Sequence, residues 1–393
     1  MYKKRGAPIE YKGFFGRHRV AIAATTLLGT IVGAGILGIP YVIAQTGILY
    51  GFILIVLLGI MYLFLNLFLG EVVLRTKTQH QLTGYAGKYL GKWGKRIFTV
   101  SMLISLYGAL TAYLIGEGAT LYSIFKFGTP LLYTLIFFVV TFFIAYKGVR
   151  ATGKAELILI SLLLFIIVLI GIISFRDINV SNLTHMDISK FFIPYGVIVF
   201  AFLGLPAIPE MQEELGREKK KFKMAIILGS ISPIVIYLLF TLFIVGIVGL
   251  DNFNILGPNE RIATIALSMF SNPILGILAN ILAVLAMFTS FLTISLALIE
   301  MYHFDYHFPR SVSLGLVFSF PLIFAVLNLA TFITVLGLTG AIAGGIEAIL
   351  VILMFWKAKT LGNRKPEYTI SKMKALGFFM MLLFAFGILY QFL

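Results

Sequence analysis

Eleven stretches of this chain are apolar enough and long enough to cross a lipid bilayer, and that feature leaves few folds open. A helix needs about twenty consecutive apolar residues to cover the hydrocarbon core. The stretches fall near 20–46, 49–74, 97–125, 130–146, 155–175, 191–213, 224–250, 274–301, 311–328, 331–356 and 375–392. Lipid offers no partner to backbone amides and carbonyls, so spanning segments are helices or closed barrels. No period-two alternation runs through these stretches, which excludes the barrel. Composition agrees: of 393 residues 60% are hydrophobic and 12% charged, with a mean hydropathy of +1.01. A soluble domain is nearer a quarter charged. The expectation is an all-α integral membrane protein with eleven transmembrane helices. Cys is absent, which removes disulfides, thiolate metal sites and Cys nucleophiles, and five His leave little for a His-built metal centre.

Lys and Arg set the orientation. Six lie in the N-terminal segment, six in 75–96, three in 147–154, five in 217–223, one at Arg310 and six in 357–374. The opposite loops hold four: Lys126, Arg176, Lys190 and Arg261. The chain therefore reads as 1–19 cytoplasmic, 20–175 helices one to five, 176–190 an extracellular loop, 191–356 helices six to ten, 357–374 a cytoplasmic loop, and 375–393 a last helix ending outside. The net charge of +15 is thus accounted for by topology, and nucleic acid is not a partner. Lys3-Lys4-Arg5 is followed by polar residues, so no cleavable leader is expected.

Two spans carry helix-breaking residues. The first holds Gly29-Thr30-Ile31-Val32-Gly33-Ala34-Gly35-Ile36-Leu37-Gly38-Ile39-Pro40, and the sixth holds Phe200-Ala201-Phe202-Leu203-Gly204-Leu205-Pro206-Ala207-Ile208-Pro209. Gly admits irregular backbone and Pro removes a donor. A break in lipid strands polar groups unless they face a ligand or an ion. Gly29 and Gly33 alone would suit close helix packing. However, Leu37-Gly38-Ile39-Pro40 is echoed by Leu203-Gly204-Leu205-Pro206, five spans later. Five is odd, so spans 1–5 and 6–10 would be inverted repeats. Interrupted helices at matching places in inverted repeats point to a midplane solute site of a secondary transporter.

The eighth span places Ala286, Thr289, Ser290 and Thr293 on one helical face. Hydroxyls there can coordinate a hard monovalent cation, although Thr and Ser in membrane helices also bond back to the preceding turn. Among the acidic residues, Glu71, Glu156 and Glu300 fall near cytoplasmic ends, where solvation is cheap. Glu117 and Glu347 sit deeper and are candidates for proton coupling. Glu210 follows the sixth-span break and is a candidate gate residue.

These residues resemble the amino acid/polyamine/organocation superfamily, and within it the amino acid/auxin permease family. GTIVGAGILGIPYVIAQTG (29–47) resembles that family's first helix, and FAFLGLPAIPEMQEEL (200–215) is similar to the sixth helix of sodium-coupled neutral amino acid transporters. YGALTAYLIGEG (107–118) and TSFL (289–292) resemble bacterial aromatic and hydroxy amino acid permeases. The resemblance implies a LeuT-type fold, a 5+5 inverted repeat plus one helix, with helices 1 and 6 broken. It implies a small neutral amino acid whose carboxylate meets the first break at Thr30, Ile31, Gly33, Ala34 and Gly35. Its amino group would face Phe200, Ala201, Phe202, Leu203 and Gly204, with Tyr107, Thr111 and Thr293 as further pocket candidates. Sodium would be held by carbonyls of Gly29, Val32 and Ala286 and by the hydroxyls of Thr289 and Ser290. Some proton-coupled relatives place a Lys on helix five where sodium would sit, and 155–175 has none. Animal relatives carry a His before the sixth-helix proline, where this chain has Leu205.

The expectation is therefore a sodium-coupled amino acid symporter of the cell membrane, with no enzymatic activity and no cofactor beyond the coupling ion. The bacterial aromatic permeases are regarded as proton-driven, so a proton-coupled permease is the alternative. A membrane amino acid sensor is the rival from another class; it would be expected to carry a signalling tail.

Overall fold

The computed structural model describes residues 19–147, 153–173, 175–216 and 218–392, and every regular element among them is helical. The helices are α1 (Arg19–Ile31), α2 (Gly35–Thr46), α3 (Ile48–Leu74), α4 (Leu82–Phe125), α5 (Pro130–Lys147) and α6 (Gly153–Ile173). Then come α7 (Tyr195–Ala201), α8 (Ala207–Leu215), α9 (Phe222–Ile255), α10 (Ala263–Phe270) and α11 (Pro273–Glu300). The chain closes with α12 (Arg310–Val326), α13 (Phe332–Thr339), a π turn (Gly340–Gly344), α14 (Gly345–Leu361) and α15 (Lys374–Tyr390).

By length and composition, six described segments suffice to cross a membrane unaided: α3, α4, α5, α9 with the turn before it, α11 with the turn after it, and α13 to α14. α1 and α2, bent by 56° at a short break, together make a seventh. The other expected spans fall on shorter helices: the apolar 164–173 part of α6, α12 and α15, and the pair α7 and α8, of which α8 carries three Glu. Outward-facing side chains on α5 and α12, such as Leu135, Phe143, Phe320 and Ile323, are large and apolar, as lipid requires of a protein surface.

Packing encloses the interrupted helices. α9 lies along α1, α2 and α3, while α4 contacts α5, α11, α12, α13 and α14. α1 packs on α8, α2 on α7, and α7 on α13. Two elements were not expected from apolar length. α4 begins at Leu82 rather than near 97, because Leu82, Tyr85, Ala86 and Tyr89 bury one face of an otherwise basic stretch. Gly91, at φ 75°, turns that stretch into the apolar part of the helix. The second is α10, a short helix in the connection between α9 and α11.

Glu71, which its place near a helix end suggests is solvated, is fully buried. Arg75 and Lys359 pair with its carboxylate, and the Ile370 amide donates to it at 2.7 Å. The 362–373 connection folds over this end of α3 and supplies the Ile370 amide, while Lys359 comes from α14, contacts that apolar periodicity cannot reveal. Glu156 belongs to a stretch whose side chains lie outside the described ones.

Candidate functional site

The first break spans 32–34. The Val32 amide still donates to Leu28 at 2.7 Å, but Gly33 reaches only Ile31, at 2.9 Å. α2 restarts at Gly35 with Ala34 as its N-cap, and no side chain caps it. The first amides of a helix have no intrahelical acceptor, so this terminus presents donors and the positive end of the helix dipole. The Thr30 side chain is exposed and bonds back to Thr26, while Gly29 is partly buried and Val32 buried.

The second break spans 202–206 and its residues are tied to their own turns. Phe202 donates to Ile198 and Val199, Leu203 to Phe200, and Ala207 to Gly204. The two breaks touch. A Cβ on Gly35 would lie 2.6 Å from the Ala201 Cα, and one on Gly204 would lie 2.5 Å from the Ile31 side chain. Gly is required at both positions because backbone meets backbone or a buried branched chain.

Tyr237 of α9 joins the breaks. Its buried hydroxyl lies 2.9 Å from the Ile31 carbonyl, at the end of α1, and 2.7 Å from the Ala201 carbonyl, at the end of α7. A phenol has one proton, so it satisfies one of these carbonyls at a time. The Phe202 ring meets Tyr237 edge-on with centroids 5.1 Å apart and lies over Tyr62 of α3 at 6.1 Å. Phe200, Ala201 and Gly204 are buried and Leu203 is partly buried.

On α11 the Thr289 hydroxyl donates back to Leu285 and Ala286 at 3.1 Å, the bonding habit of hydroxyl residues in apolar helices. Ser290 instead stands within electrostatic reach of the hydroxyl of Tyr113 on α4. That hydroxyl also lies 3.5 Å from where a Cβ on Gly33 would stand. Gly33, Ala34, Leu37, Ala283 and Ala286 line one small cavity between the first break, α2 and α11, closed by α6, α9 and α10, with a volume of about 30 Å³. That is room for one or two waters and less than an amino acid fills. Thus the structure brings the first break, the second break, Ala286 and Ser290 into one neighbourhood, and it adds Tyr113 and Tyr237.

The remaining candidates separate from it. The Tyr107 hydroxyl is turned to Tyr302 at 3.1 Å and to the Leu316 carbonyl at 3.2 Å, on the α12 side. Thr111 is buried and donates to Tyr107 on its own helix, and Thr293 is exposed. Glu117 is fully buried, and neither of its carboxyl oxygens has a hydrogen-bond partner among the described residues. Glu347 is nearly as buried, with Oε1 unpartnered among the described residues, and Glu210 is exposed in the first turn of α8. Sequence reasoning passed over Tyr113 and Tyr237. Tyr113 sits in the same apolar run as Tyr107 and Thr111, and Tyr237 follows the helix proline Pro233 by one turn. Neither signal says which way a side chain points.

Residues 17–393 match the tryptophan/tyrosine permease family. The chain belongs to that family. This permease is 28% identical over 370 residues to tyrosine-specific transport system 1 of Haemophilus influenzae, covering 88% of this chain and 90% of that protein. It is 27% identical over 333 residues to glutamine transporter 2 of Aliivibrio fischeri, covering 81% and 84%. Its structure is similar to that of MhsT in complex with L-phenylalanine, with a TM-score of 0.69 over 94% of this chain and 97% of that one. At 16% identity that likeness shows the fold, which is of the LeuT type. The permease is an amino acid transporter of the multi-pass membrane class and not an enzyme.

Proposed function

We propose that this permease is a secondary active transporter that carries a neutral amino acid together with sodium by alternating access. Eleven transmembrane helices would form two inverted repeats of five plus one, with a cytoplasmic N-terminus and an extracellular C-terminus. The observation that carries the reading is the contact between the two breaks at Gly35 and Ala201, with Tyr237 shared between them. The uncapped start of α2 suits a carboxylate, which gains from the free amides and the dipole. The carbonyl end of α7 suits an ammonium. Relatives named for tyrosine and glutamine, and the phenylalanine held by MhsT, support a neutral amino acid with aromatic side chains included.

Sodium would take the carbonyls of Gly29, Val32 and Ala286 and the hydroxyls of Thr289 and Ser290. The back-bond of Thr289 does not oppose this, because a hydroxyl that donates its proton keeps lone pairs for a cation. One cation falling through 100 mV supplies about 2.3 kcal/mol, enough for roughly fiftyfold accumulation.

The test is uptake of labelled tyrosine, tryptophan, phenylalanine and glutamine into proteoliposomes, with an inward sodium gradient against a choline control at fixed pH. Sodium-dependent accumulation that disappears in Thr289→Ala/Ser290→Ala is the expected result. Unchanged sodium dependence in that double variant refutes the ion site. The second reading, proton coupling, has the unpartnered carboxyl group of Glu117 behind it. It requires accumulation driven by a pH gradient without sodium, and loss of that accumulation in Glu117→Gln.

A further inference from the structure

On the far side of Phe202 from Tyr237, three buried oxygen-bearing side chains have unused hydrogen-bonding capacity. Tyr62 of α3, Tyr195 at the start of α7 and Glu347 of α14 are each at most 4% exposed. Tyr62 Oη, Tyr195 Oη and Glu347 Oε1 have no hydrogen-bond partner among the described residues. Tyr62 Oη lies 3.2 Å from where a Cβ on Gly344 would stand, and Glu347 is three residues further along that helical face. The Tyr62 ring meets Phe384 of α15 edge-on at 6.0 Å. One turn along α15, Tyr195 Oη lies 2.5 Å from where a Cβ on Gly387 would stand. Two glycines therefore leave room for two phenol groups, and the Tyr62 hydroxyl is within electrostatic reach of Tyr195 and Glu347. The π turn at Gly340–Gly344 leads directly into α14, and such turns are rare and concentrate at functional sites.

The charges around Glu347 are few. α3 offers Tyr62 and α7 offers Tyr195, while Phe384, Gly387 and Ile388 of α15 are uncharged. From α4, Ser101 donates to the Ala343 carbonyl at 2.9 Å and does not titrate. Lys357 and Lys359 lie ten and twelve residues along α14 itself, about 15–18 Å away. No cationic side chain among the described residues pairs with this carboxyl.

We propose that Glu347, Tyr62 and Tyr195 form a binding site for one unit of positive charge, a proton or a small alkali cation, separate from the Thr289/Ser290 face. With the charge bound, the carboxyl group and the two phenol oxygens share it. With the charge gone, the phenols, neither of which now makes a hydrogen bond among the described residues, turn to donate to the bare carboxylate. That exchange moves Tyr62, against which Phe202 of the second break is packed, and Tyr195, the first residue of α7. Occupancy of the site therefore bears on the second break. The coupling to transport rests on the transporter reading; the binding of charge does not.

The experiment measures the thermal unfolding midpoint of the purified, detergent-solubilised protein across pH in choline, sodium and potassium chloride, without amino acid. It is run in the Thr289→Ala/Ser290→Ala background, so that the other candidate ion site is silent. A midpoint that depends on pH alone assigns a proton, and one that depends on sodium or potassium against choline assigns a cation. Glu347→Gln should abolish the cation dependence, or the pH dependence that remains once the acid-range contribution of surface carboxylates such as Asp187 is set aside. Tyr62→Phe with Tyr195→Phe should shift its midpoint by about tenfold in ligand concentration, and these variants serve if Glu347→Gln does not fold. A background protein without either dependence, or a Glu347→Gln or double Phe variant that keeps it unchanged, overturns the proposal. Because no transport is measured, failure here is distinct from failure of the symport reading.

Discussion

The two breaks differ in what fills them. The second is five residues long and carries Phe202, whose ring packs on Tyr237 and Tyr62. The first is three residues long, bends the chain by 56°, and carries no side chain larger than that of Val32. The helices that restart after them, α2 and α8, both begin without a side-chain cap. What unites them is outside both: Tyr237, whose single proton serves the last carbonyl of α1 or that of α7. A bound group that takes one carbonyl frees the Tyr237 proton for the other, so the breaks need not move independently.

The sharpest way to break this comparison is at their contact. Gly35→Ala puts a methyl 2.6 Å from the Ala201 backbone, whereas Gly33→Ala meets only the Tyr113 hydroxyl at 3.5 Å. Overpacking against backbone costs about 1–3 kcal/mol. Uptake should be lost in Gly35→Ala and in Gly35→Leu but kept in Gly33→Ala, and normal substrate affinity in a folded Gly35→Leu protein would refute a substrate at that position.

A smaller effect is expected at Tyr237. Tyr237→Phe removes the only donor described for the Ala201 carbonyl, and a lost buried hydrogen bond is worth about 1–3 kcal/mol. Transport should fall by roughly ten- to a hundredfold with the fold intact, read as uptake rate beside thermal midpoint. Wild-type uptake in Tyr237→Phe would mean the breaks are not linked through this residue.

The half-helices on the other side of the breaks are joined by Thr26 of α1, which donates to the Glu214 carboxylate of α8 at 2.8 Å. Thr26→Val should favour their separation by about 1.5 kcal/mol, or tenfold. The chain has no cysteine, so one Cys placed at exposed Thr30 can report that separation by its labelling rate. An unchanged rate would show that the tie does not hold these half-helices together.

The smallest effect lies at the far end of the first interrupted segment, where the Asp187 amide donates to Thr46. Ser189, and then Lys190, hold the Asp187 carboxyl below its ordinary range. A lowered folded value means the turn is stabilised above the usual carboxylate range and loses that stabilisation as pH falls through the lowered value. Asp187→Asn should lower the thermal midpoint slightly at pH 7 and by less at pH 3. An equal change at both pH values would show that charge is not what holds the turn.

Much of this was legible in particular residues. The glycines at 29, 33 and 35 and the prolines at 206 and 209 locate both breaks, because backbone that must leave a helix in lipid needs them. Apolar length also located most helix ends to within a few residues. It missed the amphipathic start of α4, whose burial depends on periodicity rather than mean apolarity, and it misjudged Glu71, two of whose partners, Lys359 and Ile370, lie nearly three hundred residues away. Tyr107 was equally unreadable, since its apolar run faces the breaks on one side and α12 on the other.

The sequence by itself determined that the chain is helical, resides in lipid and is interrupted twice, because hydrophobicity, Gly and Pro act on the chain locally. The tertiary structure alone decided that the interruptions touch, that Tyr237 rather than Tyr107 serves them, and that Tyr62 is buried within electrostatic reach of Tyr195 and Glu347, each with unmet hydrogen-bonding capacity. Those facts depend on how helices distant in sequence rotate against one another. That rotation is fixed by the close packing of many side chains, and no local pattern encodes it.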